Sequence, residues 1–171
     1  MGRVKQIIKE LQSNDYRSFD EFYNMTSKLV YYIISDIIKH KQTIEDLMQD
    51  TYLKFIQNIG NVNPNNNPNA YLAQIAKNLA INEFNKHKRV VIDDAFFTNL
   101  KDPNSRTDSG IDLGIINYLD GIEKEVVTLK LIGELKYKEI ALMLDKPMGT
   151  IQWIYSTAIK KLREKVGEEN E

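Results

Sequence analysis

Helical periodicity runs through almost the whole sequence and limits the chain to a largely helical fold. Apolar residues recur three and four positions apart, first over residues 4–11 and again over residues 19–37. This spacing places them on one face of an α-helix. An alternation of apolar and polar residues, which would indicate a β-strand, does not occur over any useful length. The predicted fold class is therefore all-α.

Two segments interrupt this periodicity and divide the chain. Residues 60–70 contain one glycine, two prolines and six asparagines, all of which disfavour the continuation of a helix. Residues 92–112 contain many acidic and small polar residues and few apolar ones, which predicts a flexible acidic linker. We therefore predict two small helical domains, at residues 1–91 and 113–171, joined by the linker at 92–112.

The composition excludes several classes of function. The 171 residues contain no cysteine and two histidines, so disulfides, thiol nucleophiles and cysteine-ligated zinc are ruled out, and we expect no catalytic residue, metal or cofactor. No apolar run approaches the roughly 20 residues of a membrane span, and the first residues lack the apolar core of a signal peptide, so we expect a cytoplasmic protein. The net charge of −1 means that any nucleic-acid binding must come from local patches.

Three helix starts can be predicted from their capping residues. Ser18, with Glu21 three residues later, has the pattern of a capping box. Thr43 precedes a helical run over residues 44–59. Asn69, directly after a proline, can cap the helix that follows it.

The helix predicted over residues 44–59 separates an apolar stripe from an acidic face. Leu53 is the apolar residue on the acidic side. Such a face is either a solvated surface with an incidental exposed leucine or a docking surface for a basic or polar helix. We refer to the following residues as the acidic face: Asp46, Gln49, Asp50, Leu53 and Gln57.

The helix predicted over residues 69–89 concentrates basic charge. Residues 71–91 carry four basic residues against one acid, a net charge of +3 in a chain of −1. Amides can bond to base edges, lysines can bond to phosphates, and apolar groups can stack on an unpaired base. The alternative is that the basic residues are exposed only because charged side chains are solvated at the surface. The polar loop at 61–69, the asparagine loop, has groups able to line a pocket for an extruded base. The candidate nucleic-acid residues are Asn66, Asn67, Lys77, Asn78, Ile81, Asn82, Asn85, Lys88 and Arg89.

Residues 122–166 predict a helix-turn-helix. Helix-forming runs are divided near Gly133 and again at residues 145–147, which leaves a short helix, a tight turn and a longer helix. The second helix of this motif can enter the major groove of DNA, whereas the alternative is a plain helical hairpin with a basic last turn. The predicted outward face of the second helix carries Thr150, Gln152, Trp153, Ser156, Thr157, Lys160 and Arg163.

Three segments taken together resemble the bacterial sigma-70 family. They are EDLMQDTYLKF at 45–55, YLAQIAKNLAINEFNKHKR at 71–89 and EIALMLDKPMGTIQWIYSTAIKKLRE at 139–164. The short two-domain length is similar to the extracytoplasmic-function (ECF) group, which keeps the promoter-reading domains two and four. The resemblance implies a domain-two-like bundle, a domain-four-like helix-turn-helix, and a non-enzymatic sigma factor that binds core RNA polymerase and promoter DNA.

The resemblance also implies roles for the surfaces described above. The acidic face, at Asp46, Gln49, Asp50 and Leu53, matches the segment by which sigma factors dock on the clamp helices of the largest polymerase subunit. Residues 71–89 are similar to the segment that opens and reads the minus-ten element, and the asparagine loop lies where this group captures a flipped non-template base. The helix-turn-helix matches the family's minus-thirty-five recognition motif at its turn and at the start of its second helix.

The recognition helix departs from the family pattern at several positions. Family members commonly carry basic residues at the positions of Gln152, Ile154 and Thr157, and a small residue at that of Trp153. Fewer phosphate-binding charges predict weak binding of the minus-thirty-five element, or reading of an A+T-rich element through Trp153 and methyl contacts. The alternative role for Trp153 is a contact with a protein partner such as an anti-sigma factor.

Two rival functions can be set against this interpretation. A stand-alone regulator could bind duplex DNA with a similar helix-turn-helix, but the acidic face and the asparagine loop argue against it. A helical metal-dependent hydrolase would need inward-facing ligands at i, i+4 spacing. Asp46 and Asp50 have this spacing, but they are predicted to point away from the apolar stripe.

Overall fold

The computed structural model describes residues 2–90 and 113–168, and these residues form helices and turns without any strand. They fall into two compact units, one containing residues 2–90 and the other residues 113–168. The all-α prediction is confirmed for this part of the chain, and the predicted linker at 92–112 lies outside it. The helices are α1 (Gly2–Gln12), α2 (Phe19–Ile37), α3 (Lys41–Gln57), α4 (Pro68–Val90), α5 (Gly121–Val127), α6 (Tyr137–Met143) and α7 (Met148–Glu168).

The core of the first unit forms where α2, α3 and α4 pack against one another. The rings of Phe22 and Phe55 stack at its centre with their centroids 5.0 Å apart, and both side chains are fully buried. Tyr52 meets the ring of Phe22 edge-on, at 6.4 Å. Burial of large aromatic side chains supplies much of the hydrophobic stabilisation of a small unit. Helix α1 adds its own fully buried stripe, made of Ile7, Ile8 and Leu11.

The predicted capping box at the start of α2 is wrong. The Ser18 hydroxyl donates to the Glu10 carboxylate at 2.5 Å instead of capping the helix. The Glu21 carboxylate accepts from Nε of Arg3 at 2.9 and 3.0 Å. Both residues therefore join α2 to α1, because charged partners from another helix are available to them.

Ser18 is nevertheless the N-cap residue of α2, as predicted, whereas the other two predicted helix starts are displaced. Helix α3 begins at Lys41, and Nδ1 of His40 accepts from the backbone N–H of Thr43 at 3.4 Å. Helix α4 begins at Pro68, and Oδ1 of Asn67 accepts from the N–H of Asn69 at 3.0 Å. Proline fits the first turn of a helix, where its missing N–H leaves no bond unmade. Both helices thus start earlier than their apolar patterns indicate.

The second unit has the predicted helix-turn-helix, formed by α6 and α7, which pack against each other, while α7 also packs on α5. Helix α5 continues into a π-helical turn at Thr128–Ile132. Helix α6 starts where the Glu139 carboxylate accepts from the Lys136 N–H at 2.7 Å. In the turn that follows, Asp145 has a left-handed backbone with φ of 49°, a conformation that aspartate tolerates better than most residues.

Within the described residues, no helix is long and apolar enough to cross a membrane.

Candidate polymerase and nucleic-acid interfaces

The acidic face of α3 is open to solvent over its whole length. Its five members, Asp46, Gln49, Asp50, Leu53 and Gln57, are all exposed, as the helical rotation predicts. Leu53 is the most informative of them, because 59% of it is accessible although it is apolar. The opposite side of α3 is buried in the core of the first unit.

The carboxylates of this face are not neutralised by basic side chains of the described chain. Gln42 donates to the Asp46 carboxylate at 3.2 Å, but this is a neutral amide. The Asp50 carboxylate has no hydrogen bond or ion pair with any of the described side chains. On the neighbouring side of the helix, by contrast, Nζ of Lys41 forms an ion pair with Oε1 of Glu45 at 3.9 Å. The acidic face therefore presents charge and one apolar side chain to a partner.

Helix α4 presents amides on its outward side. Asn78, Ile81, Asn82 and Asn85 are exposed, and Lys77 is half-buried. The side chains of the other two predicted residues on this helix, Lys88 and Arg89, lie outside the described part of the structure.

Small residues on the buried side of α4 fix its outward face. Leu72, Ala73, Ala76 and Ala80 are fully buried, and alanine lets helix backbones approach closely. The side chain of Gln74 donates to Oδ1 of Asn78 at 2.9 Å on the exposed side. This bond spans one turn and leaves the amide nitrogen of Asn78 free to donate outward.

Exposed rings and an aliphatic side chain flank the amides of α4. Tyr71, Ile81 and Phe84 are each more than one third exposed. The ring of Tyr71 is held against Phe55, with centroids 6.0 Å apart. Aromatic faces held in place by the core can stack on unpaired bases with little loss of conformational entropy.

Some asparagine side chains of the asparagine loop bond within the turn, and others face solvent. Oδ1 of Asn63 accepts from the N–H of Asn65 at 2.9 Å, which closes an Asx turn. Asn67 is occupied at the start of α4, as described above. Asn66 is exposed, and its side-chain amide has no hydrogen-bond partner among the described residues. Of the two predicted loop residues, Asn66 is thus available to a ligand, while Asn67 supports the helix.

Two side chains of α1 reach this loop, although no sequence motif marks either of them. Gln12 bonds to the backbone that enters the loop, and Lys5 bonds to Asn65. The partners of Gln12 are 47 and 50 residues away in the sequence, so no local spacing could indicate them.

On α7, the predicted recognition residues are mostly on the surface. Trp153 is 67% exposed, and the Ser156 hydroxyl donates to its carbonyl oxygen at 2.9 Å. Lys160 lies 3.9 Å from Glu164, one turn further along the helix. The residues that face solvent on this helix include Thr150, Gln152, Trp153, Ser156 and Lys160.

The structure changes the interpretation of Ile154. This side chain is only 6% exposed and belongs to the buried side of α7 with Ile151 and Ala158. The expectation that Ile154 stands in place of a phosphate-binding charge is therefore wrong for this chain. Two positions remain where this chain lacks a basic residue that could bind phosphate. They are the exposed Gln152 and the half-buried Thr157.

The spacing of Asp46 and Asp50 does not produce an inward-facing ligand pair, because both carboxylates are on the exposed side of α3. Among the described residues, no group of three histidine, cysteine, aspartate or glutamate side chains is arranged to hold a metal ion.

Comparison with family models identifies both units. The model for sigma-70 region 2 matches residues 22–90, and the model for sigma-70 region 4 matches residues 115–164. Together the two matches cover more than half of the chain. The chain therefore belongs to the sigma-70 family of transcription initiation factors.

Individual relatives narrow this to the ECF group. The chain is 25% identical to the ECF RNA polymerase sigma factor BldN of Streptomyces coelicolor, over 94% of this chain and 65% of the relative. It thus spans about two thirds of the length of BldN. It is also 25% identical to the ECF sigma factor SigM of Bacillus subtilis, over 85% of this chain and 93% of SigM.

Two solved structures share the fold. The sigma factor RpoE, in complex with the anti-sigma factor NepR from Bartonella quintana, has a TM-score of 0.67 and 21% identity. That similarity covers 88% of this chain and 98% of RpoE. CnrH, in complex with the cytosolic domain of CnrY, has a TM-score of 0.62 and 16% identity, over 96% of this chain and 97% of CnrH.

Proposed function

We propose that this chain directs promoter-specific initiation by binding core RNA polymerase with α3 and an unpaired promoter strand with α4 and the asparagine loop. The observation that carries the proposal is that one compact unit exposes two chemically different surfaces. One surface combines Leu53 with carboxylates that form no ion pair among the described residues, and the other combines amides with exposed rings. We also propose that the chain is divided into a first domain at residues 1–91 and a second at residues 113–171, because the helical periodicity breaks between them.

The acidic face suits a partner with a basic or polar helix. Charge complementarity across an interface speeds association and fixes its orientation, while a central apolar side chain that becomes buried supplies affinity. Leu53, exposed beside Asp50, has the properties of such a central residue. We propose the clamp helices of the largest polymerase subunit as the partner of the acidic face.

Strand separation needs binding energy but no bond-making chemistry by this chain. Extruding and unstacking a base costs a few kcal/mol, and stacking on a protein ring returns about 1 to 3 kcal/mol per base. The exposed amides of Asn78, Asn82 and Asn85 can then read base edges that pairing would hide. The proposed role is therefore that of a non-enzymatic specificity subunit.

The second unit is proposed to bind the minus-thirty-five duplex through α7. Its exposed Thr150, Gln152 and Ser156 can bond to bases or phosphates, and Lys160 supplies positive charge. With few basic residues on this face, we propose weak duplex binding that becomes effective only within the polymerase complex. Trp153 is assigned either to thymine methyl groups or to an anti-sigma partner, such as the one bound by RpoE.

The rival function, a stand-alone regulator of duplex DNA, is not favoured, because the region 2 match spans residues 22–90 in addition to the helix-turn-helix. Sigma factors work where bacterial polymerase works, so we place this protein in the cytoplasm.

The proposal is tested by transcription with purified core polymerase, with and without this chain, on a library of A+T-rich promoters. We expect defined start sites that require the chain. The control is direct binding of the chain to the same duplexes without polymerase, which we expect to be much weaker. Absence of chain-dependent transcripts, or tight duplex binding by the chain alone, contradicts the proposal.

A further inference from the structure

Helix α1 lies outside the region 2 match at residues 22–90, yet it is firmly attached to the first unit. Its apolar side chains Ile7, Ile8 and Leu11 are fully buried. Arg3 adds hydrogen bonds to Glu21 of α2. A helix held in this way is a fixed point against which a neighbouring loop can be positioned.

Gln12, the last residue of α1, is bound to the backbone at the entrance of the asparagine loop. Its Nε2 donates to the carbonyl oxygens of Ile59 and Val62, at 2.9 and 2.7 Å. Both carbonyl oxygens can only accept hydrogen bonds, so the side-chain nitrogen of Gln12, and not its oxygen, must face them. Ile59 and Val62 are buried, so their backbone is already constrained by the core. The N–H of Val62 donates to the carbonyl of Ile59 at 3.1 Å and closes the short 3₁₀ turn between α3 and the loop. Gln12 ties both ends of this turn to α1.

Lys5 provides a second contact, nearly two helix turns before Gln12. Its Nζ donates to Oδ1 of Asn65 at 2.6 Å, and both residues are exposed. A hydrogen bond from an ammonium group is stronger than one between neutral groups. This bond holds the tip of the loop, whereas Gln12 holds its entrance.

The exit of the loop is held independently by the cap that Asn67 makes on α4. The turn between these anchors is closed by the bond from the N–H of Asn66 to the carbonyl of Asn63, at 3.0 Å. The side-chain amide of Asn66 then projects from a turn that is fixed at both ends. A base could be recognised by this amide only if the turn keeps one position.

We propose that Gln12, assisted by Lys5, is a positioning residue that sets the asparagine loop so that Asn66 selects one flipped base. This inference rests on the proposed function of the loop in capturing an unpaired promoter base. Gln12 itself does not touch the DNA in this scheme. Its effect is confined to the single position that the loop reads.

Gln12→Met is the informative change, because methionine has a similar length and volume but cannot donate to the two carbonyls. The loss of two hydrogen bonds lets the turn move and should reduce selection by about tenfold. Gln6→Met is the matched control, since Gln6 lies on the same helix and its side chain bonds to Glu10, at 2.9 Å, and to no other described side chain. Gln12→Lys restores donors and should restore selection.

The measurement uses holoenzyme made from core polymerase and full-length chain. It is mixed with a pool of single-stranded DNA oligonucleotides randomised over ten positions, and the bound fraction is sequenced. We expect the wild-type chain and Gln6→Met to select a base at several positions. We expect Gln12→Met to lose selection at one position by about tenfold and to keep the others.

The outcomes separate this inference from the proposed function. Unchanged selection in Gln12→Met overturns the inference while leaving the proposed function intact, and so does a uniform loss at all positions, which indicates general destabilisation. If the wild-type holoenzyme selects no base at all, the proposed function itself fails. Should Gln12→Met not fold, Lys5→Met makes the same test at an exposed residue, with the same single-position loss expected.

Discussion

The hydroxyl groups of Thr26 and Tyr52 lie 2.8 Å apart in the interior of the first unit. The Thr26 hydroxyl is already used as a donor to the carbonyl of Phe22, at 2.8 Å, so Tyr52 donates to Thr26. Tyr52 is 4% exposed, and water cannot replace this partner. The bond joins α2 to the buried side of α3, the helix whose other side carries the acidic face.

Tyr52→Phe should therefore destabilise the first unit without changing its shape. Removing the hydroxyl leaves the packing of the ring intact and costs about 1 kcal/mol in the free energy of unfolding, measured with urea. Tyr16→Phe is the control, because Tyr16 is exposed and its hydroxyl makes a 3.3 Å bond to Asn14. Equal losses in the two variants would argue against a stabilising role for the buried bond.

The same tyrosine should make stability depend on alkaline pH. Burial raises the pKa of Tyr52 above its ordinary value of 10.0. The native state keeps the proton that the unfolded chain releases, so the free energy of unfolding should fall as the pH rises above 10. Tyr52→Phe should show a shallower decline between pH 9 and 11. Identical pH profiles would contradict this assignment.

Asp50→Lys should abolish association with core polymerase while the helical fold is retained. The exposed Asp50 has no ion-pair partner within the described chain, so its reversal costs nothing inside the molecule but opposes a basic partner. We expect affinity to fall about a hundredfold in a pull-down or interferometry titration. Glu45→Lys, with the same charge change outside the acidic face, should bind nearly normally. Retained binding by Asp50→Lys counts against docking at this face.

Asn78→Ala should weaken promoter opening and leave polymerase binding unchanged. The loss of one amide contact to a base is worth about 1 kcal/mol, or roughly fivefold in open-complex yield, which permanganate footprinting measures. Lys88→Ala should act in the same direction by removing a phosphate contact. Asn24→Ala, at an exposed asparagine of α2, is the control. If neither Asn78→Ala nor Lys88→Ala alters the yield, α4 does not contact the open strand.

Trp153→Ala distinguishes the two roles proposed for this residue. If the ring packs on thymine methyl groups, affinity of the holoenzyme for an A+T-rich minus-thirty-five duplex should fall by about fivefold. Trp153→Phe should retain most of the affinity because it keeps an apolar ring. Unchanged DNA affinity combined with loss of a protein partner would reject the DNA role. Since Trp153 is 67% exposed, folding should be unaffected in both variants.

The exposed faces of the helices could be predicted because they depend only on the regular rotation of successive residues around the helix axis. A residue every 100° places Asp46, Asp50 and Leu53 together, and the core of the unit confirms this by burying the other side. The same reasoning separates Asn78 and Asn85 from the alanines of α4. The site assignments on these faces remain predictions, since exposure allows a contact without proving it.

Contacts between distant parts of the chain could not be predicted. Ser18 and Glu21 have the local pattern of a cap, but the Arg3 guanidinium and the Glu10 carboxylate bind them instead. The family resemblance places Ile154 at a position that binds phosphate, but the helices packed around it bury its side chain. In each case a partner far along the chain outweighs the local preference.

The bonds from Gln12 to Ile59 and Val62 have a consequence for protein engineering. A chimera that exchanges only residues 22–90 between related factors would transplant the loop without the donor that closes its entrance. The two carbonyls would then meet whatever side chain the host carries at that place in its own first helix. Swaps intended to move promoter preference from one factor to another should therefore include α1.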